Sequence, residues 1–135
     1  MKIGLVLATQ LLLAGGCFAQ HPSTLFMRTM YRESNKNYFA NKLPQNPKII
    51  WVYGLKNDKG EALFAETFCD GEEGSLICTI KLDAQNNAAP STAVMSMYHE
   101  QCHIKLWGKA LQVHGHEFQS CMKDLANLDA FQDVW

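Results

Sequence analysis

The stretch His99-Glu100-Gln101-Cys102-His103 restricts the fold more than any other, because its two histidines are useful together only on a helix. Positions four apart on a helix share one face, about one turn above each other, so two imidazoles can reach one ion. In a strand the same two residues would sit about 13 Å apart. The surroundings suit a helix: Ser91 or Thr92 can open it just after Pro90, and Gly108 follows Trp107 where a helix would stop. Glu100 then falls on the adjoining edge, where it is poorly placed as a third ligand and well placed to accept a proton from water. Such a pattern also occurs by chance on helices that hold no metal. Here, however, four of the chain's five histidines lie between His99 and His116.

A catalytic zinc ion takes three protein ligands and keeps one position open. The metzincin spacing would put Gly and His three and six residues after His103, where this chain has Leu106 and Lys109, so that class is excluded. Three downstream candidates remain: His114, His116 and Glu117. A carboxylate in the first turn of a helix is accounted for by the helix dipole alone, which ranks Glu117 last.

Around this motif the 135 residues have room for one domain, and 47% hydrophobic content against 19% charged is enough to bury a core. From Ser23 to Lys42, Met27, Met30, Tyr31 and Tyr38 recur at helical spacing, with Ser23 or Thr24 as the cap. Lys48–Tyr53 reads as a strand, Asn57–Gly60 as a turn, and Glu61–Cys69 with Ser75–Asp83 as a hairpin joined by a polar, glycine-containing loop. A last helix begins near Gly115 and runs through Phe118, Met122 and Leu125. Met95, Met97, Met122, Tyr53 and Tyr98 read as core residues, and Cys102 as a small buried thiol pointing away from the imidazoles. The expected architecture is α+β: an N-terminal helix, a three-stranded antiparallel sheet, the helix bearing the motif and a closing helix.

Residues 1–19 read as an export signal, with Lys2 ahead of an apolar run from Ile3 to Leu13 and small residues before cleavage after Ala19. A second reading of the same residues takes Ala14-Gly15-Gly16-Cys17 as a loose lipobox, in which Cys17 is lipidated and anchors residues 20–135 to a membrane. Either reading places the chain outside the cytoplasm, secreted or in the cell envelope, and leaves Cys69, Cys78, Cys102 and Cys121 in an oxidising compartment. Cys69 and Cys78 flank the hairpin loop, where directly opposed residues can form a disulfide that stabilises by about 2–3 kcal/mol. Cys102 and Cys121 are then free or paired with each other. The net charge of −1, with basic residues scattered, argues against nucleic acid as a partner.

The motif histidines followed by His114-Gly115-His116-Glu117-Phe118 resemble the SprT/Spartan-like metalloproteases, whose pattern pairs HExxH with a later H-G-x-x-F. Upstream, Tyr38-Phe39-Ala40-Asn41-Lys42-Leu43-Pro44 with Trp51 looks like that family's opening helix and first strand, and Cys69 through Cys78-Thr79-Ile80-Lys81-Leu82 like its hairpin. The similarity runs in collinear order over about residues 25–122. It implies a minimal zincin-like fold and a zinc endopeptidase acting on a protein or peptide. It further implies Zn2+ on His99, His103 and His114, Glu100 as general base, and Gly115 as a point of close backbone approach. Two other functions fit parts of the same residues. One is a zinc-stabilised binding module without turnover; the other is a DNA-associated crosslink protease, which requires that residues 1–19 are no export signal.

Overall fold

The computed structural model describes residues 20–134; the expected export signal of residues 1–19, with its expected cleavage after Ala19 and the alternative lipidation site at Cys17, lies outside them. Helix α1 spans Thr24–Tyr38, and the Ser23 hydroxyl accepts from the Phe26 amide at 3.0 Å to cap its start. The helix stops four residues short of the expected Lys42. Ala40 and Asn41 take positive φ of 52° and 57°, and the Asn41 amide turns back to the Asn35 carbonyl at 2.9 Å. The buried Asn35 side chain then holds both backbone groups of Leu43 at 3.1 Å, which steers the chain into the sheet.

Strands β1 (Lys48–Val52), β2 (Ala65–Asp70) and β3 (Ile77–Asp83) form a sheet in the order β1-β3-β2. The hairpin of β2 and β3 is antiparallel as expected, but β1 pairs parallel to β3, so the sheet is mixed and not antiparallel throughout. The expectation failed because it placed successive strands side by side. β3 is the strand whose Cys78, Ile80 and Leu82 are all buried, so it takes the centre and β1 and β2 take its two edges. The connection of residues 53–64, with the Lys56–Ala62 bridge and the Asn57–Gly60 turn, carries the chain from one edge to the other.

Helix α2 (Pro90–Lys105) is the hub. Its Ala93, Met97 and Ile104 are buried in a core shared with Met27 and Tyr31 of α1 and Ile80 and Leu82 of β3. Two buried polar clasps fix it. On one side Gln101 accepts from the Ser34 hydroxyl at 2.7 Å and donates to the Tyr31 carbonyl at 3.1 Å. On the other, the Ser96 hydroxyl donates to Asn87 Oδ1 at 2.6 Å, and the Asn87 amide nitrogen donates to the carbonyls of Phe64 at 2.6 Å and Asp83 at 2.9 Å. Helix α3 (His116–Asn127) and a short turn at Gln132–Val134 close the domain, and no described helix is long and apolar enough to cross a membrane.

All four described cysteines are paired. Cys69–Cys78 joins β2 to β3, and Cys102–Cys121 joins α2 to α3. Cys102 is therefore a half-cystine and not a thiol, because Cys121 on the first turns of α3 faces it across the helix pair. Two disulfides in one small domain indicate an oxidising environment.

Candidate metal centre

His99 and His103 lie on the half-buried flank of α2, one turn apart, and His114 reaches them from the loop of residues 106–115. The three Nε2 atoms form a nearly equilateral triangle, with separations of 3.2 Å for His99–His114, 3.1 Å for His103–His99 and 3.1 Å for His114–His103. Neutral imidazoles cannot satisfy such a triangle by themselves. An Nε2 that carries a proton has no in-plane lone pair to accept with, and one that lacks it has nothing to donate. A cation that meets three lone pairs removes the conflict. Tetrahedral zinc with Zn–N of 2.0–2.1 Å spaces its ligand nitrogens at about 3.3 Å, close to the spacing found here. The three histidines can thus hold a metal ion.

Their protonation favours the same outcome. Burial, with the neighbouring His114 adding to it, pushes His99 down to about 4, and burial with His99 and His114 does the same for His103. Both are neutral at physiological pH, the form that ligates.

Phe118 of α3 is the floor of this site. Its buried ring lies 4.7, 4.5 and 4.8 Å, centroid to centroid, from those of His99, His103 and His114, and stacks on His103 with 25° between the planes. The sequence marks Phe118 as an apolar position of the closing helix and the last residue of H-G-x-x-F, and its spacing from His114 is the signal for its place beneath the imidazoles. Gly115 is a point of close approach: a Cβ there would come within 2.9 Å of Gln112 Cβ, so the glycine permits the tight turn of residues 112–115 that carries His114. Gln119 steadies this turn by donating to the His114 carbonyl at 3.3 Å. His116 and Glu117, the rival ligands, are exposed on the first turn of α3 and are not part of the three-histidine group.

Glu100 is 3% exposed. Burial raises its carboxyl to about 7, the charge of Glu66 adds to the rise, and the Thr67 hydroxyl opposes part of it. That hydroxyl is itself buried with no hydrogen-bond partner of ordinary geometry. Thr67 is the neighbour that sequence reading missed.

His99, His103, His114 and Glu100 line one cleft of about 830 Å³, whose opposite wall is β2 and the residues before it, Ala62–Thr67. β2 is an edge of the sheet. Cys69 and Cys78 face each other with Cα atoms 4.1 Å apart, the close, non-hydrogen-bonded kind of antiparallel pair. By alternation Ala65 and Thr67 also sit at non-hydrogen-bonded positions, so their backbone N–H and C=O groups point away from β3, toward the free edge. Neither Tyr53, which is 73% exposed and not core, nor Tyr98, which is buried against Tyr38 and Phe131, lines the cleft. Met95 and Met122, expected in the core, do line it. A scan against protein-family models, a search of curated proteins and a search of solved structures each return no match to this chain.

Proposed function

We propose that the chain is a zinc-dependent endopeptidase, with the metal on His99, His103 and His114 and with Glu100 as general base. The observation that carries this reading is the convergence of three imidazoles beside a buried carboxylate, inside a cleft walled by a strand edge. Zinc held there would supply Lewis acidity, activating water and polarising an amide carbonyl. The chain's own groups do the rest. The edge of β2 offers the backbone donors and acceptors of Ala65 and Thr67, which an extended peptide can pair with as an added strand. Glu100 takes a proton from the attacking water and returns it to the leaving amine. A cation held by the neighbouring imidazoles would favour the ionised, proton-accepting form of this carboxyl. Phe118 and the turn at Gly115 keep His114 aimed at its two partners.

The order of helix, strand, hairpin, motif helix and H-G-x-x-F segment supports SprT/Spartan-like ancestry as part of the same proposal. Two disulfides support secretion or an envelope location over a reducing cytoplasm, which weighs against the DNA-associated alternative. A purely structural zinc site does not need Glu100 as a proton acceptor, nor a fourth position open to water.

The test uses the exported chain, loaded with zinc or stripped by a chelator, on a broad peptide mixture. Glu100→Gln should keep the metal and the fold while turnover falls by about 10²-fold to 10⁴-fold. Wild-type protein that is folded and zinc-loaded yet cleaves nothing would leave the binding-module reading in its place.

A further inference from the structure

The wall of the cleft opposite β2 is apolar and carries its bulk where solvent can see it. Leu111 is 94% exposed and Val113 70%, and they flank Gln112 immediately before the ligand His114. Leu106, Trp107 and Met122 continue this surface inward. Such side chains clustered on one loop, beside unpaired backbone, mark a surface that meets something apolar. Charge narrows the choice. Among the described residues that line the cleft there is no Lys or Arg; the carboxylates are Glu66 and Glu100, and Glu66 already pairs with Lys81 at 3.3 Å. An acidic side chain entering the cleft would lose water and meet no cation of the protein.

Resting on the endopeptidase reading, we propose that the occupant is an unfolded peptide segment whose residues beside the scissile bond are bulky and apolar, and that acidic residues there are rejected. The edge of β2 requires an extended conformation, so alternate side chains point toward the loop of residues 106–115. Flexible Met95 and Met122 adapt that surface to Leu, Met or Phe without selecting one shape. Strands paired on both sides inside a folded protein do not fit the same geometry.

Two readouts separate this inference from the reading beneath it. Binding is measured with zinc-loaded Glu100→Gln protein and two fluorescent ten-residue peptides, identical except for a central Leu-Phe or Glu-Asp pair. Cleavage is measured with wild-type protein on an equimolar mixture of both. The apolar peptide should bind at least about tenfold more tightly, the order expected from burying one or two large apolar side chains. It should also be cleaved at the Leu-Phe bond. Leu111→Lys/Val113→Lys, changed at exposed positions that the fold does not need, should narrow or reverse the ratio at unchanged metal content. Cleavage without apolar preference, or an unaltered ratio in the double variant, overturns the inference and leaves the endopeptidase standing. Apolar binding without any cleavage keeps the ligand class and removes the enzyme. Binding of 1-anilinonaphthalene-8-sulfonate alone, with neither peptide bound, overturns the strand-pairing argument on which the inference depends.

Discussion

At the scale of single residues, the histidines divide cleanly by position. Changing His99, His103 or His114 to Ala should abolish stoichiometric metal, and His116→Ala should retain it, as measured by metal content of the four purified variants. Full occupancy in His114→Ala would reassign the third ligand. Asp83 makes a separate case. It is 1% exposed, and burial alone would raise its carboxyl. The backbone amides of Asn86 at 2.9 Å, Leu55 at 2.8 Å and Gln85 at 3.0 Å, together with that of Gly54, outweigh this and hold it below the ordinary value. Its contribution to stability is therefore present above about pH 3.9, the unfolded value, and is lost as pH falls through the lower folded value. Asp83→Asn should flatten the acid limb of a denaturation series recorded from pH 5 to pH 2. At neutral pH it should cost about 1–3 kcal/mol, because amides that end the β1 and β3 strands lose a charged acceptor. A mutant that keeps the wild-type acid dependence would show that another carboxylate carries it.

Elements explain what could and could not be read in advance. Helix α2 and the β2–β3 hairpin are legible because their cues are local: Pro90 opens the one, which ends at Lys105, two residues before the expected Trp107, and alternation with a turn defines the other. Strand β1 was recognised, but its direction was not, since nothing within Lys48–Val52 says which neighbour it will choose. The site followed the same rule. His99, Glu100 and His103 were legible from helix geometry and His114 from a resemblance. Thr67 depends on which elements pack together and so is not legible, and for the same reason the sequence leaves Cys102 and Cys121 either free or paired, a choice that the packing of α3 on α2 decides in favour of the link. That link allows a prediction about α2 and α3. Eighteen residues separate its ends, and the chain-entropy model gives about 3 kcal/mol for a loop of that size. Cys102→Ala/Cys121→Ala should lower the denaturant midpoint accordingly and should also speed zinc loss to a chelator. The second effect is expected because α3 carries Phe118 beneath all three imidazoles. The Cys69→Ala/Cys78→Ala pair is the control. It should lower the midpoint with a smaller change in metal loss, since that link lies within the hairpin. Equal chelator rates in the two double variants would separate the α2–α3 link from the metal centre.

For the whole molecule, a net charge of −1 with basic residues scattered along the sequence predicts no affinity for duplex DNA at physiological salt. Fluorescence anisotropy with a labelled 30-base-pair duplex tests this, and micromolar binding would revive the DNA-associated alternative. The two disulfides bear on where such a chain can work. One of the half-cystines, Cys102, sits between Glu100 and His103, inside the motif itself. On the proposed reading the Cys102–Cys121 link would make the metal centre answer to its redox surroundings: with both thiols reduced, α3 would be held to α2 by packing alone, and oxidation would tie the helix that carries the Phe118 ring to the helix that bears two of the imidazoles.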